Sequence, residues 1–135
     1  MKTFLVEDSQ ILRGALHQIF SYNSCYLQST ESAEEALDAI ARDKFDLIIS
    51  DYMLPGIDGI EFFKKSVRFQ PQAFKVLISG NLNRSSVSRA SDIGVNAFIA
   101  KPFSITTLLS SLNLQMVGHQ DADRWLESGI SEYRE

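Results

Sequence analysis

Short apolar runs alternate along the chain with segments whose apolar residues return every three or four positions. The first run is Thr3-Phe4-Leu5-Val6, which ends at the acidic pair Glu7-Asp8. From about Ser9 to Phe20, the residues Ile11, Leu12, Ala15, Leu16, Ile19 and Phe20 fall on one stripe, which predicts a helix facing a core. Ser9 is its candidate N-cap. Gly14 is a weak point inside it, costing up to ~1 kcal/mol against alanine. A second strand is expected near Cys25 to Ser29. A helix over Thr30 to Arg42 follows, with Ala33, Ala36, Leu37 and Ile40 inward, and Ser32 followed by Glu35 has the capping-box form.

The third strand, Phe45 to Asp51, contains Leu47-Ile48-Ile49, an unbroken apolar run suited to a central parallel strand covered on both faces. Pro55, Gly56 and Gly59 break the chain before a helix near Ile60 to Phe69. Lys75 to Ser79 is the fourth strand, turned by Gly80 and Asn81. The helix from about Arg84 to Ile93 is serine-rich and weakly apolar, with Gly94 as its stop. Ala97 to Ala100 is the fifth strand. After Lys101-Pro102 a last helix is expected from Ser104 to Val117, carrying Ile105, Leu108, Leu109, Leu112 and Met116. Five strands and five helices in strict alternation specify an α/β fold: one doubly wound parallel sheet, helices on both faces, right-handed crossovers.

With 135 residues the chain makes one domain, expected over 1–118, and a tail over 119–135. Trp125, Leu126, Ile130 and Tyr133 in the tail are spaced to share one face of an extra helix. The net charge of −4 lacks the basic footprint of a nucleic-acid binder, so no direct nucleic-acid binding is expected. The single cysteine, Cys25, excludes an internal disulfide framework, and no Cys/His cluster suits zinc; a packing role is expected for it. The N-terminal apolar run is too short for a signal peptide, and no run approaches a membrane span. A cytoplasmic protein without membrane association is therefore expected.

In an open parallel sheet, ligands bind beyond the carboxyl ends of the strands. Those ends carry Glu7-Asp8, Asp51, Ser79 and Lys101, from four different strands. Each has an ordinary use alone: a solvated strand end, a turn-capping aspartate, a turn serine, a surface lysine. Together they predict a reactive pocket. Three carboxylates in one crevice repel, and a hard divalent cation such as Mg2+ with its preference for oxygen ligands relieves the conflict. Lys101 adds a second positive charge. Asp51 then stays ionised and nucleophilic, and an incoming phosphoryl group meets charge stabilisation, with Ser79 able to donate to its oxygens. Asp58-Gly59 is expected to serve turn geometry. His17, His119, Arg84 and Arg89 are expected on solvated faces.

Glu7-Asp8 in FLVEDS, Asp51 in DLIISDYMLPGIDG, Ser79-Gly80 in VLISGN and Lys101-Pro102-Phe103 in AFIAKPF resemble the receiver domain of two-component response regulators over roughly residues 3–117. The resemblance implies a flavodoxin-like sheet of strand order 2-1-3-4-5. It implies Asp51 as phosphoacceptor, with Lys101 and Ser79 at the phosphoryl group. Mg2+ would be held directly by Asp8, Asp51 and the backbone carbonyl of Met53, with Glu7 holding metal-bound water or acting from behind those ligands. It further implies a cis Lys101-Pro102 peptide, a switch pair of Ser79 and Phe98, and readout by the fourth helix, fifth strand and fifth helix. The phosphoryl donor would be a histidine kinase or histidine phosphotransfer protein. A downstream effector protein would read the altered face, with a second copy of the chain as a further candidate partner. The family's variations are visible: Glu-Asp for Asp-Asp, serine for threonine at 79, and phenylalanine for tyrosine at 98. An interaction module working without phosphate is the alternative. An aspartate-nucleophile phosphatase would need a second aspartate where Met53 stands. The expectation is a switch and not an enzyme, apart from its own phosphorylation and dephosphorylation.

Overall fold

Short runs rich in β-branched and aromatic side chains form strands because such side chains fit a pleated, covered surface. The computed structural model describes residues 1–22, 25–104 and 106–110. Its strands are β1 (Lys2–Val6), β2 (Tyr26–Thr30), β3 (Leu47–Asp51), β4 (Phe74–Ser79) and β5 (Ala97–Ala100), joined by helices α1 (Gln10–Tyr22), α2 (Ala33–Ile40), α3 (Gly59–Ser66) and α4 (Arg84–Asp92). A further helical segment covers residues 106–110. The sheet is parallel throughout, in the order β2-β1-β3-β4-β5.

Alternation of side chains along each strand divides the core between the two faces. Leu5, Leu47, Ile49, Val76 and Ile78 point to the side covered by Leu16 and Phe20 of α1 and by Leu108 and Leu109. Phe4, Val6, Ile48 and Leu77 point to the other side, where Ala36 and Ile40 of α2, Phe62 and Phe63 of α3 and Ala90 of α4 close the layer. Cys25 is buried, within the first of these layers.

Side-chain caps hold the helix starts. Ser9 Oγ accepts from the Leu12 amide at 3.2 Å, and Ser32 Oγ from the Glu35 amide at 3.2 Å. Asp58 Oδ1 accepts from the Glu61 amide at 2.9 Å, so Asp58-Gly59 does serve local geometry. The weakly apolar α4 is supported at its start by a complete capping box between Asn83 and Ser86, which patterning alone did not single out.

Two details differ from expectation. Ile11, placed on the inner stripe of α1, is 87% exposed. At 100° per residue it lies roughly 125° from the centre of the Leu12, Leu16, Ile19 and Phe20 stripe, outside the buried arc. His17 is half-buried, its Nε2 2.7 Å from Ser29 Oγ, rather than solvated. Arg89 is exposed as expected and also donates to the Tyr52 hydroxyl at 2.9 Å. The tail over 119–135, with His119, and most of the expected last helix lie outside the described residues. Among the described residues no helix is long and apolar enough to cross a membrane.

Candidate functional site

The strand order reverses direction between β1 and β3, and at such a reversal the following loops diverge and leave a crevice at the strands' carboxyl ends. Glu7 and Asp8 follow β1, Asp51 is the last residue of β3, Ser79 is the last of β4, and Lys101 follows β5. Glu7, Asp8 and Asp51 each offer a carboxylate oxygen, and these atoms all lie within 4.8 Å of one another. Lys101 Nζ donates to Asp51 Oδ2 at 2.7 Å and to Glu7 Oε1 at 3.2 Å. Residues far apart in the chain are thus brought to one point by the sheet.

The surroundings set the electrostatics. Glu7 is 1% exposed, and burial pushes its carboxyl above the usual range, with Asp51 adding to the rise; the Ser9 amide and Lys101 pull the other way. Burial pushes Lys101 down, but the hydrogen bond and charge of Asp51, with the charge and hydrogen bond of Glu7, outweigh it and hold the ammonium above its ordinary value. With every carboxylate ionised, three negative charges face the single positive charge of Lys101, leaving the cluster at −2. Asp8, the exposed member, faces solvent where a cation can enter. An all-oxygen donor set with this residual charge and no sulfur or imidazole fits a hard divalent cation of the magnesium or calcium type.

The loop after Asp51 is held from several sides. The Tyr52 amide donates to Ile78 O and the Gly59 amide to Tyr52 O, both at 2.8 Å. Gly59 packs so closely on β3 that a Cβ there would sit 2.3 Å from the Asp51 carbonyl oxygen. Gly56 adopts φ +78°, a left-handed conformation that favours glycine, and Glu34 Oε2 accepts the Ile57 amide at 3.2 Å. Met53 is 73% exposed and borders, with Tyr52, Ser79, Gly80, Asn81 and Asn83, a cleft of about 260 Å³ beside the carboxylates. Ser79 is buried; its Oγ accepts from the Asn81 amide at 3.0 Å, and its carbonyl accepts from the Lys101 amide at 2.8 Å. Phe98, half-buried, packs against the α2–α4 layer, and the Lys101–Pro102 peptide is cis.

Two contributors escaped the sequence reading. The Ser9 amide donates to Glu7 Oε2 at 3.1 Å, and Arg13 Nη1 donates to the Glu7 carbonyl at 2.7 Å. Neither residue type is distinctive in sequence, and only the turn from β1 into α1 brings them back onto Glu7.

The response regulator receiver domain model matches residues 3–113. The C4-dicarboxylate transport transcriptional regulatory protein DctD of Rhizobium meliloti is 33% identical over 108 residues, covering 80% of this chain and 24% of that protein. The transcriptional regulatory protein HprR of Escherichia coli is 29% identical over 131 residues, covering 96% of this chain and 58% of that protein. The chain therefore spans from about a quarter to less than two thirds of the length of these relatives. Among solved structures, a CheY-like receiver domain protein from Methanospirillum hungatei has a TM-score of 0.77 at 21% identity, covering 95% of this chain and 98% of that one. A Burkholderia pseudomallei response regulator with a phosphorylated aspartic acid, calcium ion and citrate has a TM-score of 0.76 at 22% identity, covering 98% and 75%. These two share the fold. A family model that spans most of the chain leads to one conclusion: the chain belongs to the response regulator receiver domains, which are signalling domains of two-component systems.

Proposed function

We propose that this receiver domain accepts a phosphoryl group on Asp51 in the presence of Mg2+, and that the modified domain presents a changed surface to a partner. The observation that carries the proposal is the Asp51 carboxylate, paired with Lys101 at 2.7 Å and within 4.8 Å of the Glu7 and Asp8 oxygens. Mg2+ would be held by Asp8, Asp51 and the Met53 carbonyl, with Glu7 holding metal-bound water or acting from behind those ligands, and would supply charge neutralisation at the phosphoryl oxygens. The chain's own groups do the rest. An Asp51 carboxylate oxygen forms the new O–P bond while the donor's N–P or O–P bond breaks. Lys101 neutralises a phosphoryl oxygen, and its bond to Glu7 holds it in place. Ser79 turns its hydroxyl from the Asn81 amide toward the phosphoryl group, and Phe98 moves into the space this vacates. The added charge biases a two-state element, which is how a local modification gains a distant readout. The solved Burkholderia pseudomallei relative, with its phosphorylated aspartic acid and calcium ion, supports this reading.

The donor would be a histidine kinase or a histidine phosphotransfer protein, and an effector protein the reader. The curated relatives are named as transcriptional regulators, and this chain covers only part of their length. The Asp51–Lys101 pair beside the Glu7 and Asp8 carboxylates favours this reading over a phosphate-independent module. The test is incubation with Mg2+ and acetyl phosphate, followed by intact mass. A gain of one phosphate in the wild type, absent in Asp51→Asn, is expected. No gain with any donor would refute the proposal.

A further inference from the structure

Asp8 is the exposed carboxylate of the cluster, and no side chain or amide among the described residues donates to it. Its direction must therefore come from the backbone. The backbone there is leaving the sheet: the Glu7 amide still pairs with Thr30 O at 3.1 Å, but β1 itself ends at Val6. The Glu7 carbonyl, one step further, accepts from Arg13 Nη1 at 2.7 Å. The peptide group is planar, so an anchor on the Glu7 oxygen orients all six atoms through to the Asp8 Cα. Arg13 is itself held. Its side chain is 15% exposed, its amide donates to Ser9 O at 3.0 Å in the first turn of α1, and Nη2 lies 3.4 Å from Glu31 Oε1. Ser9 closes the same turn by donating to Glu7 Oε2.

We infer that Arg13 is a positioning residue for the cation site: it grips the Glu7–Asp8 peptide from beneath and so aims the Asp8 carboxylate, without reaching the cation or the phosphoryl group. The inference rests on the reading of Asp8 as a cation ligand. It makes a prediction opposite in sign to simple electrostatics. An arginine next to an acidic cluster repels a cation, so removing its charge alone would tighten Mg2+ binding. Removing the peptide anchor loosens it.

The experiment is calorimetric titration of the full chain with Mg2+ alone, for wild type, Arg13→Met, Arg13→Gln, Arg13→Lys and Glu31→Gln. Loss of an orienting partner behind a metal ligand costs on the order of 10-fold in affinity, and that weakening is expected for Arg13→Met. Arg13→Lys and Arg13→Gln, which keep a donor for the carbonyl with and without charge, are expected to recover part of it. Glu31→Gln, which keeps the anchor, is expected to match wild type. At saturating Mg2+, Arg13→Met is expected to reach the same phosphorylated mass as wild type. Unchanged or tighter Mg2+ binding in Arg13→Met, or in Arg13→Ala should the Met variant fail to fold, overturns the inference. If the wild type takes up no Mg2+, the cation reading itself fails and the role of Arg13 falls with it; that outcome shows in the wild type alone and so is distinct.

Discussion

Gly59 is the position where a single methyl group tests the link between fold and site. It opens α3, and its backbone lies against the end of β3. A Cβ built there meets the Asp51 carbonyl oxygen at 2.3 Å, the Asp51 carbonyl carbon at 3.0 Å and Leu77 Cδ1 at 3.0 Å. Close carbon–oxygen contacts in proteins begin at about 3.3 Å, so Gly59→Ala requires roughly 1 Å of movement. Neither wall yields easily. Asp51 sits in register with Ile78 of β4, and its carbonyl accepts from Ser50 Oγ at 2.9 Å. The start of α3 is tied by the Gly59 amide to Tyr52 O and by the Asp58 cap. Overpacking of this kind costs about 1–3 kcal/mol. At about 4 °C per kcal/mol for a domain of this size, Tm should fall by roughly 4–12 °C. Because the clash is with Asp51 itself, the carboxylate should also be misplaced, and an error of ~1 Å in a reacting group can slow a reaction ~100-fold. Differential scanning calorimetry measures the first effect and a mass time course with acetyl phosphate and Mg2+ the second. Gly14→Ala is the matched comparison: that glycine is exposed, mid-helix, with nothing within 4 Å of a Cβ, so the same change should stabilise by about 0.5–1 kcal/mol. A Gly59→Ala protein as stable as wild type, or one that accepts phosphate at the wild-type rate, would refute the reasoning.

Lys75 and Asn83 yield two more predictions. Lys75 is 3% exposed, with Nζ donating to Gln70 O at 2.8 Å and Ala73 O at 3.0 Å, and burial lowers its pKa below 10.5. Between that lowered value and 10.5 the unfolded chain binds the extra proton, so Lys75 makes stability rise as pH rises through the window. The Tm difference between wild type and Lys75→Met should move in favour of wild type as pH increases from 7 toward 10, and a flat difference would contradict it. Asn83→Ala removes the cap of α4 and should cost about 1 kcal/mol, read from urea midpoints at constant slope; no change would mean that the Asn83–Ser86 box contributes nothing.

The fold was legible because β1, β3, β4 and β5 each carry an unbroken apolar run of at least three residues closed by a polar or charged stop. β3 is the clearest case: Leu47, Ile48 and Ile49 read as a doubly covered strand, and the two faces do take alternate members. The site was legible at its charged corners for the same reason, since Glu7, Asp8, Asp51 and Lys101 are the stops. What supports those corners was not. Arg13 and the Ser9 amide act on Glu7 through a chain reversal that no periodicity encodes, and the Tyr52–Arg89 bond joins a loop to a helix 37 residues on. Ile11 was misread because an apolar residue next to a stripe looks like part of it until the helix rotation is known. The charge of Lys75 lies inside a strand with no acidic neighbour in sequence, and its two carbonyl partners come from the preceding turn.

The bond from Lys101 to Asp51 spans 50 residues of chain, and that to Glu7 spans 94. No contiguous fragment shorter than most of the domain contains the pocket, so charge complementarity at this edge arises only after the strands have been sorted into their final neighbours. A chain whose sheet is only partly sorted therefore lacks the Lys101 contacts to Asp51 and Glu7 on which the proposed phosphorylation depends.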